Sequence, residues 1–460
     1  MRMGLVLLLT VMLAGCASLR PYQPPVVAPA QLANVDPAQF STQPFDARWW
    51  RQFDDPVLDA LIERALQANR DIRIAVARLD QARAVFDQAA LDRFPRVPVN
   101  ASVDRRDQQI PGFSEESRTV NTYRMGFDAF WEIDLFGRVR SATAAAAANA
   151  GSFDATLDDV RVTVVAEVAR NYFELRGLQQ EEAVAARSLV NQQETLRLTT
   201  VRRDAGIGEE QDVASAAARV AGIESALPPI RAALAARAHR LAVLSGERPG
   251  TLPGDLAPRA YPPLAKVISI GPPSELLSRR PDVRAAERRL AAATARAGVA
   301  AADLYPRVSV TGFLGFLAGR GNVFGRSDSA AWSVTPALSW AGLDLGSARA
   351  RLRGSEAATV EAAAQYEQAI LVALEEVENA LVRYREQQRR LVSLLEQARE
   401  STRAADIARV RYREGVSDFL SLLDAERTQL QAEQSVAQAE ADVFTGLIAV
   451  YKGLGGVGDR

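Results

Sequence analysis

Phe94-Pro95-Arg96-Val97 and Tyr305-Pro306-Arg307-Val308 end the matching runs of two copies of one repeat. Upstream of them, Asp71-Ile72-Arg73 with Leu79 is answered by Asp282-Val283-Arg284 with Leu290, so the run 71–99 returns as 282–310, 211 positions later. Downstream, Asp134-Leu135 closely followed by Gly137 is echoed by Asp344-Leu345-Gly346, and Val201-Arg202 with Gly206 by Val410-Arg411 with Gly415. The offset drifts only from 211 to 209, which marks an internal duplication rather than scattered motifs. Each copy reads as helix, strand, loop, strand, very long helix, turn and helix.

The strands carry the period of two that gives a sheet one apolar and one polar face. Val97, Val99, Ala101 and Val103 alternate with Pro98, Asn100, Ser102 and Asp104; Tyr123, Met125, Phe127, Ala129 and Trp131 alternate with Thr122, Arg124, Gly126 and Asp128. In the second copy a strand runs from Arg307 to Leu317, and Trp332, Val334, Pro336, Leu338 and Trp340 alternate with Ser333, Thr335, Ala337 and Ser339. The spans are set near 96–106, 119–132, 307–318 and 329–342, with polar loops Asp107 to Arg118 and Gly319 to Asp328 closing the hairpins. Strands of about ten residues with aromatics towards their ends suit an outer-membrane barrel, and a soluble β-sandwich layer is the alternative the pattern leaves open. Four strands cannot close a barrel in lipid, where even the smallest bacterial barrels use about eight, so several chains must pool theirs. The arithmetic does not choose among two, three and four chains.

The helices are of unusual length. From Arg138 to Arg203 and from Ser347 to Arg413 there is no proline and little glycine, and each stretch can reach about 100 Å at 1.5 Å per residue. Leu374, Val377, Leu381 and Tyr384 form a heptad-like stripe in one copy; Val164, Val168, Tyr172 and Leu175 form another. Asp204-Ala205-Gly206-Ile207-Gly208 and Glu414-Gly415-Val416-Ser417-Asp418 end these helices, because glycine accepts the left-handed conformation that stops a helix. The chain then returns through Asp212 to Leu227 or Phe419 to Tyr451, making two antiparallel hairpins. Pro228-Pro229 is expected to kink or divide the first return arm. Gly453 to Gly458 superficially resembles a nucleotide fingerprint but follows a helix and ends the sequence, so a flexible tail is expected instead.

At the N-terminus, Arg2 precedes an apolar run from Leu5 to Leu13 that stops at Leu13-Ala14-Gly15-Cys16, a lipobox whose cysteine thiol accepts diacylglycerol before cleavage. Cys16 is the sole cysteine, so no disulfide forms within the chain, and the covalent lipid would anchor the mature N-terminus. The organisation is therefore a signal peptide 1–15, a lipidated segment 16–55, a first repeat 56–245, a Pro/Gly-rich crossover 246–273, a second repeat 274–452 and a tail 453–460. One histidine, one cysteine and a net charge of -1 speak against a metal centre, Cys/His catalysis or nucleic-acid binding. His239, between Arg237 and Arg240, reads as a helix-surface residue. No cofactor and no enzymatic activity are expected.

Pro273-Ser274-Glu275-Leu276-Leu277-Ser278-Arg279-Arg280-Pro281-Asp282-Val283-Arg284-Ala285-Ala286-Glu287, together with Trp49-Trp50, Phe53, Asp55-Pro56 and Leu58, resembles the TolC-like outer-membrane factors of tripartite export pumps, in the lipoprotein branch of OprM and NodT. The resemblance spans nearly the whole mature chain. It implies a fold mainly α with a membrane β-barrel: a homotrimer whose strands make one twelve-stranded barrel above a periplasmic α-helical barrel. It implies three kinds of partner, namely outer-membrane lipid, a periplasmic adaptor (membrane fusion) protein and an inner-membrane transporter of the RND type that supplies the energy. It places the adaptor contact at Gly206, Ile207, Gly415 and Val416. Tyr412-Arg413-Glu414-Gly415-Val416 followed by Leu420 and Asp424 matches the family's periplasmic gate, with Leu420 as apolar constriction and Asp424 as acidic ring. Helix packing for Leu420, Leu422 and Leu423 and a solvated face for Asp424 are the alternatives. The first repeat departs here, with Gln211 and Ser215 at the equivalent places. A type I secretion duct and a lipid-anchored coiled-coil scaffold remain the other functional readings.

Overall fold

The computed structural model describes residues 22–25, 32–43, 46–109, 116–251, 256–264 and 267–456; Cys16 and the signal sequence lie outside them. In chain order the elements are β1 (Phe40–Ser41), α1 (Pro56–Ala68), α2 (Arg70–Leu91), β2 (Val99–Gln108), β3 (Arg118–Ile133), α3 (Arg138–Asp204) and α4 (Glu210–Leu244). The second copy follows with β4 (Ile268–Ser269), α5 (Leu276–Arg279), α6 (Pro281–Ala302), β5 (Arg307–Ala318), β6 (Ala330–Ser339), α7 (Leu345–Arg413) and α8 (Phe419–Gly453). The chain divides into two compact units, one holding residues 77–154 and 285–368, the other 28–76, 155–284 and 369–460. Their boundaries fall inside α2, α3, α6 and α7.

The first unit contains an antiparallel sheet in the order β2-β3-β5-β6. The duplication governs its register. Val99 pairs with Phe127 in the first hairpin, and their equivalents Val310 and Pro336 pair in the second; Arg96 meets Phe130 as Arg307 meets Ser339. Because side chains alternate across a strand, these pairings gather Val99, Ala101, Val103, Met125, Phe127, Trp131, Val310, Leu314, Trp332, Val334 and Leu338 on one face. Most of this face is exposed, Val103 at 71% and Trp332 at 76%. The opposite face is polar. There Arg124 donates to Asp128 from both terminal guanidinium nitrogens, Asn100 adds a bond to Asp128 of 2.9 Å, and the guanidinium lies 4.2 Å from the centre of the Phe313 ring. Phe313 lies over Gly126, which stands opposite Gly315; a Cβ on Gly315 would come within 2.2 Å of the Met125 carbonyl, so the strands approach too closely there for any side chain. The outer edges of β2 and β6 have no strand partner among the described residues.

The second unit is built on an aromatic core. Trp49, Trp50 and Phe53 lie on a short 3-10 turn and are all nearly inaccessible. Trp49 stacks on Tyr451 of α8 at 5.1 Å, Phe53 meets Phe173 of α3 edge-on at 4.9 Å, and Phe173 stacks on Phe444 at 4.4 Å. Each such burial contributes on the order of 1.5–3 kcal/mol, with further gain from ring geometry. The turn leads into α1, where Asp55 caps the helix by accepting from Val57 N at 2.9 Å and Pro56 supplies the first helical residue. The other Asp55 oxygen accepts from the Tyr172 hydroxyl of α3, so one carboxylate both starts a helix and ties it to the core. β1 and β4 pair in parallel, Phe40 with Ile268 and Ser41 with Ser269, a small sheet that the sequence reading did not include.

Two expectations are corrected. Pro228-Pro229 does not divide the return arm: α4 continues from Glu210 to Leu244 with both prolines inside it. Both prolines, and Glu224 and Ser225 whose carbonyls lose their donors, lie on the exposed face where water can satisfy them. On the other face Ile223, Leu227 and Ile230 are buried against Val184 and Ala185 of α3, which holds the helix together across the defect. Residues 453–456 are likewise no loose tail. Leu454 is buried, Gly455 turns the chain at φ +76°, and the Gly456 carbonyl accepts from the Trp49 indole at 3.2 Å.

Candidate functional site: the hairpin turns and the face beside them

The two long helices end in matching turns. In the first, Gly206 N donates to Arg203 O (2.9 Å) and Ile207 N to Arg202 O (2.9 Å); in the second, Gly415 N donates to Tyr412 O (3.1 Å) and Val416 N to Arg411 O (2.8 Å). This is the paired bonding that satisfies the last carbonyls of a helix around a left-handed residue. Gly206 has φ +75° and Gly415 φ +74°, and a Cβ at either would meet nothing within 4 Å. The demand for glycine is therefore conformational and not steric. Ile207 and Val416 project from the turns with about two thirds of their surface exposed. Polar groups brace the bends: Arg203 pairs with Asp204 and Glu210, and Asp418 caps α8 by accepting from Ser421 N at 2.8 Å. The Ser421 side chain first, and its backbone N–H second, hold the Asp418 carboxyl below the usual carboxylate range by hydrogen bonding to it.

The turns of the two repeats are packed together. Ala216 of α4, Tyr412 of α7, and Phe419 and Leu422 of α8 form a buried cluster, with Leu196, Leu198, Ala408 and Leu423 against it. Arg202 spans the repeats by donating to the Tyr412 carbonyl at 2.9 Å while its guanidinium lies 4.8 Å from the Tyr412 ring centre. Against this cluster the residues expected at the gate separate. Leu422 is buried and Leu423 partly so, whereas Leu420 is 71% exposed on the outward side of α8. Asp424, one helical turn further along that side, is exposed and pairs with Arg427 at 2.7 Å. An ion pair so open to water contributes about 0.2–1 kcal/mol, so the carboxylate stays available to other cations. Gln211 is exposed and Ser215 partly buried at the corresponding places of the first repeat.

Two buried polar centres were missed by the sequence reading. Glu426 is 4% exposed; it accepts from Arg409 Nε at 2.8 Å and from Gln192 Nε2, so one carboxylate joins α3, α7 and α8 beside a cavity of about 320 Å³. Arg280, inside the resemblance motif, is buried. It binds Asp282 at 2.7 and 3.0 Å, Glu376 at 2.6 Å and the Gly453 carbonyl at 2.8 Å. Burial works to discharge Arg280, and the two carboxylates more than offset it, so its pKa lies above the ordinary arginine value. Helical periodicity gives no sign of either centre.

The sequence model of the outer membrane efflux protein family matches residues 61–247 and 273–456, which takes in both repeats and both turns. The chain belongs to this family. The solvent efflux pump outer membrane protein SrpC of Pseudomonas putida is 30% identical over 97% of this chain and 96% of its own length. Outer membrane protein OprJ of Pseudomonas aeruginosa is 30% identical over 99% of this chain and 95% of its own. Among solved structures, the outer-membrane channel OprN is 48% identical and superposes with a TM-score of 0.93, covering 96% of this chain and 99% of that one. As an outer membrane efflux protein of TolC-like fold, the chain resides in the outer membrane and is the channel component of an efflux pump.

Proposed function

We propose that three copies of this chain pool their sheets into one twelve-stranded barrel and act as the passive outer conduit of a tripartite pump, with no catalysis and no cofactor. The observation that carries this reading is the open sheet: it has an apolar face, a polar face and two free edges, and lipid tolerates no free edge. Family membership supports three chains over two or four. An RND-type inner-membrane transporter supplies the energy, and a periplasmic adaptor meets the turns at Gly206, Ile207, Gly415 and Val416. Leu420 and Asp424 form the closed end of the conduit, since both stand on the outward side of α8, away from the cluster that packs its own hairpin.

Diacylglycerol on Cys16 anchors the mature N-terminus. Mass spectrometry is expected to find that residue first and acylated, and an unmodified N-terminus downstream of it contradicts the assignment.

The docking assignment is tested by Gly415→Val. A β-branched residue at φ +74° costs on the order of 1–3 kcal/mol locally, and no neighbour is crowded by the side chain. The variant is expected to insert normally while export and adaptor crosslinking fall together. Unchanged export and crosslinking overturn the assignment.

A further inference from the structure

α4 and α8 run side by side from the two turns. Ala216 of α4 shares one buried cluster with Phe419 and Leu422 of α8, and two turns further on Ile223 shares another with Leu430. Arg219 stands between those contacts on the same stripe of α4, three residues after Ala216 and four before Ile223, so it faces the stretch of α8 that holds Glu426 and Arg427. It finds no acid there to bind. Both Glu426 oxygens are taken, by Arg409 at 2.8 Å and by Gln192, and Asp424 accepts from Arg427 at 2.7 Å. On α4 itself the positions three and four residues away are Ser215, Ala216, Gly222 and Ile223, none of them acidic. The Arg219 Nε is buried without a hydrogen-bond partner among the described residues. Burial first, and the neighbouring Arg427 charge second, push the Arg219 pKa below the ordinary arginine value, with Glu426 opposing them.

We infer that Arg219 and Arg427 are the two arms of a seat for a small tetrahedral dianion, sulfate or a phosphate, between α4 and α8. A guanidinium held partly out of water, unpaired and beside a second one, is costly, and an oxyanion between them offsets both the desolvation and the repulsion. Charge and shape select the ligand class. Two guanidinium forks present more N–H groups than one carboxylate can accept, whereas four oxygens bearing two charges serve both. Gly222, one turn beyond Arg219, leaves open space beside it, since a Cβ there would meet nothing within 4 Å. Every part of the seat lies within one chain, so it stands whether or not three copies share a barrel. It also reaches the acidic side of α8. Arg427 is the group that pairs with Asp424, so an anion seated here competes with that carboxylate for it.

The test is isothermal titration of the detergent-extracted full chain with sodium sulfate, with sodium chloride adjusted to hold the ionic strength constant. The parent is expected to bind sulfate saturably. Arg219→Gln and Arg427→Gln are each expected to weaken binding about tenfold or more, the loss that goes with one charge-assisted contact. Arg197→Gln, which changes an exposed arginine of α3 paired with Glu194, is expected to leave it unchanged. Asp424→Ala is expected to tighten it, since Arg427 then has no competing partner. Thermal unfolding in chloride alone guards against a folding defect: Arg219→Gln is expected to unfold no earlier than the parent, because it removes a charge that nothing binds. No saturable binding by the parent, or undiminished affinity in Arg219→Gln or Arg427→Gln, overturns the site. Earlier unfolding of Arg219→Gln in chloride overturns it too, since a carboxylate of another copy then already holds Arg219.

Discussion

Arg280→Ala is expected to lower the stability of the helical unit by about 3–5 kcal/mol, because removing one member of a buried, hydrogen-bonded charge set leaves the others desolvated and unpaired. The guanidinium binds Asp282, Glu376 and the carbonyl that ends α8, and water reaches little of it. Asp159 lies close enough to feel the same charges; burial first, and the Asp282 carboxylate second, raise its pKa above the normal aspartate value. Losing Arg280 therefore uncovers a group of acids in one place. Arg280→Lys keeps the charge but not the planar fork and is expected to recover only part of the loss. Thermal unfolding of the purified protein, followed by helical circular dichroism, measures both. A transition for Arg280→Ala within about 1 kcal/mol of the parent shows that the site is mere surface pairing.

The second large effect concerns the gate. Leu420→Ala removes an exposed apolar side chain from each of three equivalent positions, and Asp424→Ala removes three carboxylates; both are expected to raise single-channel conductance several-fold. The two variants separate on cations. Block by multivalent cations needs converging carboxylates, so Asp424→Ala is expected to weaken it, whereas Leu420→Ala is expected to leave it largely unchanged. The Arg427 pairing adds a third arm: Arg427→Ala frees the carboxylate and is expected to strengthen the block. If Leu420→Ala and Asp424→Ala conduct and bind cations like the parent, Leu420 and Asp424 do not line the narrowest section and the gate lies elsewhere.

The duplication was legible because it repeats short local signals. Alternating Val99 to Val103 and Trp332 to Leu338 are strands, and Gly206 and Gly415 are turns, by rules that reach only a few residues along the chain. The register of both hairpins then follows from the two offsets, as Val99–Phe127 and Val310–Pro336 show. What was not legible depends on distant partners. Pro228-Pro229 reads as a break until Ile223, Leu227 and Ile230 are seen to be held by α3, and Gly453 to Gly456 read as loose until Trp49 and Arg280 are seen to bind their carbonyls. Glu426 and Arg280 are of the same kind. Each is an ordinary charged residue on a helix or in a motif, and its role arises only where three separate elements meet. Leu420 stands between these cases, since resemblance named it and the burial of Leu422 and Phe419 behind it separates it from the leucines that merely pack.

The central claim is that one chain supplies only four strands of a shared, conducting barrel. Native mass spectrometry of the detergent-extracted protein, with the same sample recorded in planar bilayers, tests it most directly. The account predicts a trimer that yields discrete ion-conducting events. A stable membrane-inserted monomer, or an assembly that sits on the bilayer without conducting, contradicts it.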